Sequence, residues 1–224
     1  MGVAVYLDII LVPLSLFITI GYHVYLCHAI KNKPSRTTYG IDRLRRTAWG
    51  ENLNQGEDKK AMLTVQSLRN TLMTTILTAT ITILVNLALA ALTNNTYKAS
   101  HLFNSEFFGS KSDKVFVLKY GSASFCLLFS FLCSSMAIGF LIDSNYLMNA
   151  YGEFLSGGYT QNILERGFTL ALVGNRMLCV AVPLMLWMLG PFAVFLASLA
   201  LVWVLREFDF VPQFPHSNKN NVSM

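Results

Sequence analysis

Five threonines and an asparagine between positions 71 and 86 form the most ordered polar pattern in this sequence. Thr71, Thr75, Thr78, Thr82 and Asn86 are separated by four, three, four and four residues, and Thr74 lies beside them. That spacing follows the 3.6-residue period of a straight helix, so the polar groups share one face. The other face carries Ile76, Leu77, Ile83, Leu84 and Leu87, which suits lipid, with Thr80 as the exception. A row of hydroxyls ending in an amide has two uses inside a membrane. It hydrogen-bonds to neighbouring helices, each bond contributing about 0.5–2 kcal/mol. Or it lines a water-filled path and replaces part of an ion's hydration shell. One stripe is too narrow to enclose a pore within a single chain. The pore reading therefore implies several copies around one axis, a cyclic homo-oligomer.

Asp8 is the second chemically pointed residue. It lies one to two turns into the first apolar stretch, where a carboxylate is costly and faces protein or water. Repeated around an oligomer, Asp8 would form an acidic ring at a pore mouth and favour cations. The plain alternative is a hydrated interfacial carboxylate. His23 and His28 are five apart and share no helical face, so they do not form a metal pair. Cys27, Cys126, Cys133 and Cys179 lie in apolar stretches without C-x-x-C spacing and read as small buried side chains. No G-x-S-x-G, H-E-x-x-H or P-loop is present. The expectation is therefore no enzyme, no cofactor and no metal site.

The elements that must position these residues are membrane helices. The chain has 224 residues, 54% hydrophobic and only 13% charged. A soluble domain carries roughly a quarter charged residues, so much of this surface does not face water. Apolar runs at about 3–30, 71–92, 122–142 and 177–205 each reach the roughly 20 residues that cross a bilayer. Helices satisfy their own backbone groups there. The expected fold is an all-α membrane bundle of about four spans in one domain, 1–211, followed by a flexible tail, 212–224. The first run is too long for a signal peptide and lacks a cleavage site. The polar loop 31–70 separates spans one and two, and its second half extends span two helically into the cytosol. The segment 162–176 reads as a similar extension of span four. Pro13 interrupts span one, and Gly190-Pro191 interrupts span four, where a kink or hinge is expected.

Charge sets the expected orientation. Loop 31–70 carries nine Lys and Arg and the segment between spans three and four two, against four between spans two and three and two in the tail. The excess places loop 31–70 in the cytosol and both termini on the other side. The acceptor patterns at Asn94 and Asn221 fall on that non-cytosolic side. Arg43, Arg45 and Arg46, with Trp49 beside them, suit anionic lipid headgroups or simply fix topology. One basic cytosolic loop accounts for the net charge of +5, so nucleic-acid binding is not indicated. Endoplasmic reticulum and plasma membrane both remain open.

Several motifs occur in order around these spans. Loop one reads Asp42-Arg43-Leu44-Arg45-Arg46-Thr47-Ala48-Trp49, and span two opens Gln66-Ser67-Leu68-Arg69-Asn70-Thr71-Leu72-Met73. Arg166-Gly167-Phe168 precedes span four, which ends Leu205-Arg206-Glu207-Phe208-Asp209. Over roughly residues 5–210 the chain resembles the plant membrane family catalogued as domain of unknown function 599. The resemblance implies a plant multipass membrane protein and brings no activity or site residues with it.

The functional expectation therefore rests on the residues. It is a homo-oligomeric, cation-permeable channel, calcium among the candidate ions. Thr71, Thr75, Thr78, Thr82 and Asn86 would line it, with Asp8 at its mouth. Two alternatives stand beside it. One is a scaffold that binds partners through its basic loop. The other is a small transporter that moves at Gly190-Pro191.

Overall fold

The computed structural model describes residues 3–53, 58–99, 113–149 and 157–211. The expected flexible tail and the acceptor pattern at Asn221 lie outside these residues. The described chain is helical: α1 (Val3–Asn32), a 3-10 turn (Pro34–Arg36), α2 (Thr38–Leu53), α3 (Asp58–Ala99), α4 (Asp113–Asn149), α5 (Gly157–Leu186) and α6 (Pro191–Asp209). Among the described residues, five segments are long and apolar enough to cross a membrane: Asp8–Asn32, Val65–Asn95, Val117–Met148, Gly158–Leu186 and Pro191–Asp209. At 1.5 Å per residue, α3 is about 63 Å long, twice the thickness of a hydrocarbon core.

The main correction concerns 177–205, expected as one kinked span. Here the chain reverses. The end of α5 tightens through bonds from Met188 N–H to the Met185 carbonyl and from Leu189 N–H to the Leu186 carbonyl. Such i→i+3 bonds satisfy the last carbonyls of a helix. Gly190 then adopts φ 148°, ψ 163°, which a side chain resists, and Pro191 starts α6 with a φ already suited to a helix. The two helices run back along each other. Arg176, ten residues before the end of α5, meets Asp209 at the end of α6. Proline and glycine together do not bend this helix; they terminate it and start another.

The helices pack in the order α1, α6, α5, α4, α3. One end of the bundle, the hairpin end, gathers Asp8, Lys119 and Trp187. The other, the α2 end, gathers Leu68, Leu141 and Leu164. The first described turns of α1 and the last of α6 consequently lie at opposite ends.

Two seams explain the packing. On α1, Asp8, Val12, Ser15, Thr19, Tyr22 and Leu26 are buried at alternating steps of four and three. Tyr22 and Leu26 cluster with Leu205 of the parallel helix α6, Tyr22 bonds Asp209 at its end, and Val12 shares a core cluster with Val194. This is a coiled-coil spacing in which small hydroxyl residues let the backbones approach. On α4, Ser130, Ser134, Ala137 and Leu141 face α5 in the same rhythm. The fit is closest at Gly174, whose carbonyl accepts a bond from Ser130 Oγ at 2.5 Å. A methyl group on Gly174 would stand 2.5 Å from Ser134 Oγ. Outward faces carry Phe17, Leu84, Phe125, Phe192 and Trp203, all exposed, as a lipid-facing surface requires.

Candidate functional site

Two buried ionic clusters stand at opposite ends of the surface between the α1–α6 pair and the α3–α5 layer. At the hairpin end, α1 supplies Asp8, the first turns of α4 supply Lys119, and the turn after α5 supplies Trp187. All three are buried. Trp187 Nε1 donates to Asp8 Oδ1 at 3.2 Å, and Lys119 Nζ lies 3.9 Å from Asp8 Oδ2. The Lys119 ammonium also sits 5.6 Å from the centre of a Trp187 ring, within reach of its negative face. Asp8 therefore does not stand as a free carboxylate at a mouth. Its charge is answered inside the same chain, because the α1–α6 seam turns it inward toward α4 and α5.

At the α2 end, Asp209 closes α6 and receives two donors from different helices. Tyr22 of α1 donates its hydroxyl to Oδ2 at 2.5 Å, and Arg176 of α5 pairs with Oδ1. The position of the Arg176 guanidinium follows from helix geometry. Side chains lean toward the N-terminus of their own helix, which for α5 is the α2 end. Its Nε and Nη1 are buried without a protein partner. Each cluster joins three elements and includes one residue of α1; the α5–α6 hairpin adds Trp187 to the first and both Arg176 and Asp209 to the second.

The threonine stripe packs against α4. Thr75 and Thr82 are buried, at 5% and 0% exposure, and their hydroxyls donate to the carbonyls of Thr71 and Thr78, four residues back on the same helix. Asn86 Oδ1 accepts from Ser124 Oγ of α4 at 2.8 Å. Thr71 and Thr78 are half-buried at the edge of that face, and their hydroxyls also return to α3, to the Ser67 and Thr74 carbonyls. Outside them lie Ser67, Asn70 and Thr74, all exposed.

The three arginines of loop one separate into different roles. Arg46 is half-buried and holds Glu165 of α5 through two bonds, Nε–Oε1 at 2.9 Å and Nη2–Oε2 at 3.2 Å. Its guanidinium also lies 4.1 Å from the Phe168 ring centre, so it docks α2 on α5 and is not free for lipid. Arg43 approaches the same carboxylate at 3.6 Å but stays exposed. Arg45, with a side chain 77% exposed, pairs with its neighbour Asp42. Gly190 and Pro191 form the hairpin turn, far from α2.

Lys119, Trp187, Tyr22, Arg176 and Asp209 were not read as site residues from the sequence. A signal existed for three of them. Lys119 and Arg176 are basic residues bordering or inside apolar runs, and Tyr22 continues the four–three spacing that starts at Asp8. Their partners are supplied only by packing.

Helices of this length, packed through hydroxyl-bearing seams with charges turned inward and apolar side chains outward, define a polytopic helical membrane protein. No curated protein and no solved structure matches the chain significantly. Its residues 10–214 match the family described as protein of unknown function, DUF599, and the chain belongs to that family.

Proposed function

We propose that this protein is a small membrane transporter, in which the α1–α6 pair moves against the α3–α5 layer. The observation that supports this reading is the presence of two buried ionic clusters at opposite ends of one surface. Intramembrane charges are costly and persist mainly where they serve a path or a switch. Asp8–Lys119–Trp187 would latch the hairpin end, and Tyr22–Asp209–Arg176 the α2 end. Release of one latch at a time gives alternating access to the surface between the pair and the layer. The sharp turn at Gly190 joins the moving pair to the layer. The excess of basic residues at the α2 end supports a cytosolic position for it, with the start of α1 outside and the end of α6 inside.

Thiol labelling tests this without a known solute. In a background otherwise free of cysteine, Val12→Cys, buried at 4% exposure, reports the hairpin end, and native Cys179 of α5, near Arg176 and Asp209, reports the α2 end. Lys119→Met should raise labelling at position 12 by an impermeant maleimide, and Arg176→Met at position 179. Neither change should open both. Labelling that stays closed in both variants would reject the transporter.

A second reading retains the cyclic oligomer and cation-permeable channel. The exposed strip Ser67, Asn70 and Thr74 favours it, since other copies could meet there with Thr71 and Thr78 at the edge. Single-channel steps in a planar bilayer that shrink in Thr78→Leu would support it.

A further inference from the structure

A cleft of about 560 Å³ opens at the α2 end, bordered by α2, α3, α4 and α5. Its lip is polar, with Arg45 of α2 and Ser67 of α3. Its floor is apolar, with Met148 of α4 and Leu164 and Phe168 of α5. Ser67 lies in the first turn of the apolar segment Val65–Asn95, and Met148 closes the segment Val117–Met148. The cleft therefore straddles the boundary between the polar end of the bundle and its membrane-facing belt. A small water-soluble anion would engage only the lip. An amphiphile with an anionic head would meet both the lip and the floor.

We infer that this cleft holds one anionic phospholipid from the adjoining leaflet. The phosphate sits against Arg45 and Ser67, and the acyl chains run over Leu164 and Phe168. Charge favours this occupant, because Arg36, Arg69 and Arg166 are also exposed at this end. Asp42 lines the cleft as well and pairs with Arg45 at 3.6 Å. That pair is exposed and contributes little, so a phosphate can take its place on the guanidinium. Arg46 is committed to Glu165 and shapes the wall by lying on Phe168. A seated lipid would tie α2 to α3, α4 and α5 together. This inference does not depend on either functional reading.

Native mass spectrometry of the full chain, stripped of lipid in detergent, tests it. Phosphatidylglycerol and phosphatidylcholine with the same chains are offered in equal amounts. The wild type should hold one phosphatidylglycerol per chain with about fivefold preference, the weight of one basic side chain at an anionic surface. Arg45→Gln, at an exposed position, should abolish the preference. Ser67→Trp should fill the cleft and lower retention of both lipids. Arg206→Gln, exposed on α6 outside the cleft, should leave the preference intact. Equal retention of the two lipids by the wild type, or an undiminished preference in Arg45→Gln, would overturn the inference. Displacement of phosphatidylglycerol by inorganic phosphate alone would overturn it too, by giving the lip to a free anion.

Discussion

Removing one partner of the Asp8–Lys119 pair should destabilise this protein more than removing both. The two side chains are 8% and 4% exposed, and their charged atoms lie 3.9 Å apart. With an effective dielectric constant of about 20, opposite unit charges at that distance attract by about 4 kcal/mol. Lys119→Met removes the positive charge 3.9 Å from Asp8 while the Trp187 bond stays. Asp8→Asn preserves an oxygen for Trp187 and leaves the ammonium unanswered. Breaking a buried pair from one side typically costs about 3–5 kcal/mol, whereas neutral replacement of both partners is often harmless. For a chain of this size each kcal/mol shifts the midpoint by about 2–4 °C, so each single variant should melt about 6–20 °C lower. The double variant should return close to wild type. Thermal unfolding in detergent micelles, followed by helical circular dichroism, supplies all four corners of the cycle. If the two single losses simply add in the double variant, the pair is not coupled and the hairpin-end latch is wrong.

Gly174→Ala should destabilise the α4–α5 seam by about 1–3 kcal/mol, because the new methyl meets Ser134 Oγ at 2.5 Å and the Ser130 carbonyl at 3.1 Å. Ser134→Ala in the same chain should recover part of that loss in the same melting assay. Gly190→Ala forces a side chain into φ 148° and should cost about 1–3 kcal/mol, read as a lower midpoint. Thr82→Leu enlarges a fully buried position and should lower stability by about 1–3 kcal/mol, while half-exposed Thr78→Leu should change it by less than about 0.5 kcal/mol. Glu165→Ala removes the anchor shared by Arg46 and Arg43, and amides of α2 should exchange hydrogen faster with those of α5 unchanged.

Sequence patterning accounts for the helices themselves. Apolar runs longer than a bilayer's span, with few charges, dictate membrane helices because no other local structure satisfies the backbone there. The threonine spacing marks one face of α3, and Ile76, Leu77, Leu84 and Leu87 opposite it are exposed as their chemistry requires. The same spacing does not say what that face meets. A hydroxyl can bond to the carbonyl four residues back, as Thr75 and Thr82 do, so it makes no demand for water or an ion.

Gly190-Pro191 shows the same division in the backbone. Local chemistry says that the helix is interrupted, because proline lacks an N–H and glycine tolerates unusual angles. Whether the chain then bends or reverses depends on what the next segment packs against. Here Val194 and Leu205 find the inward face of α1, and α6 returns along α5. The arginines of loop one divide for a similar reason. Their shared charge is evident in the sequence, yet only the docking of α2 on α5 sends Arg46 to Glu165 and leaves Arg45 exposed. Composition and periodicity thus determined that this is a bundle of membrane helices with polar faces turned to one another. Tertiary structure alone decided that Asp8 meets Lys119 and that Asp209 meets Arg176 and Tyr22. Those partners lie on helices far apart in the chain, and a buried charge takes the counter-charge that packing brings to it.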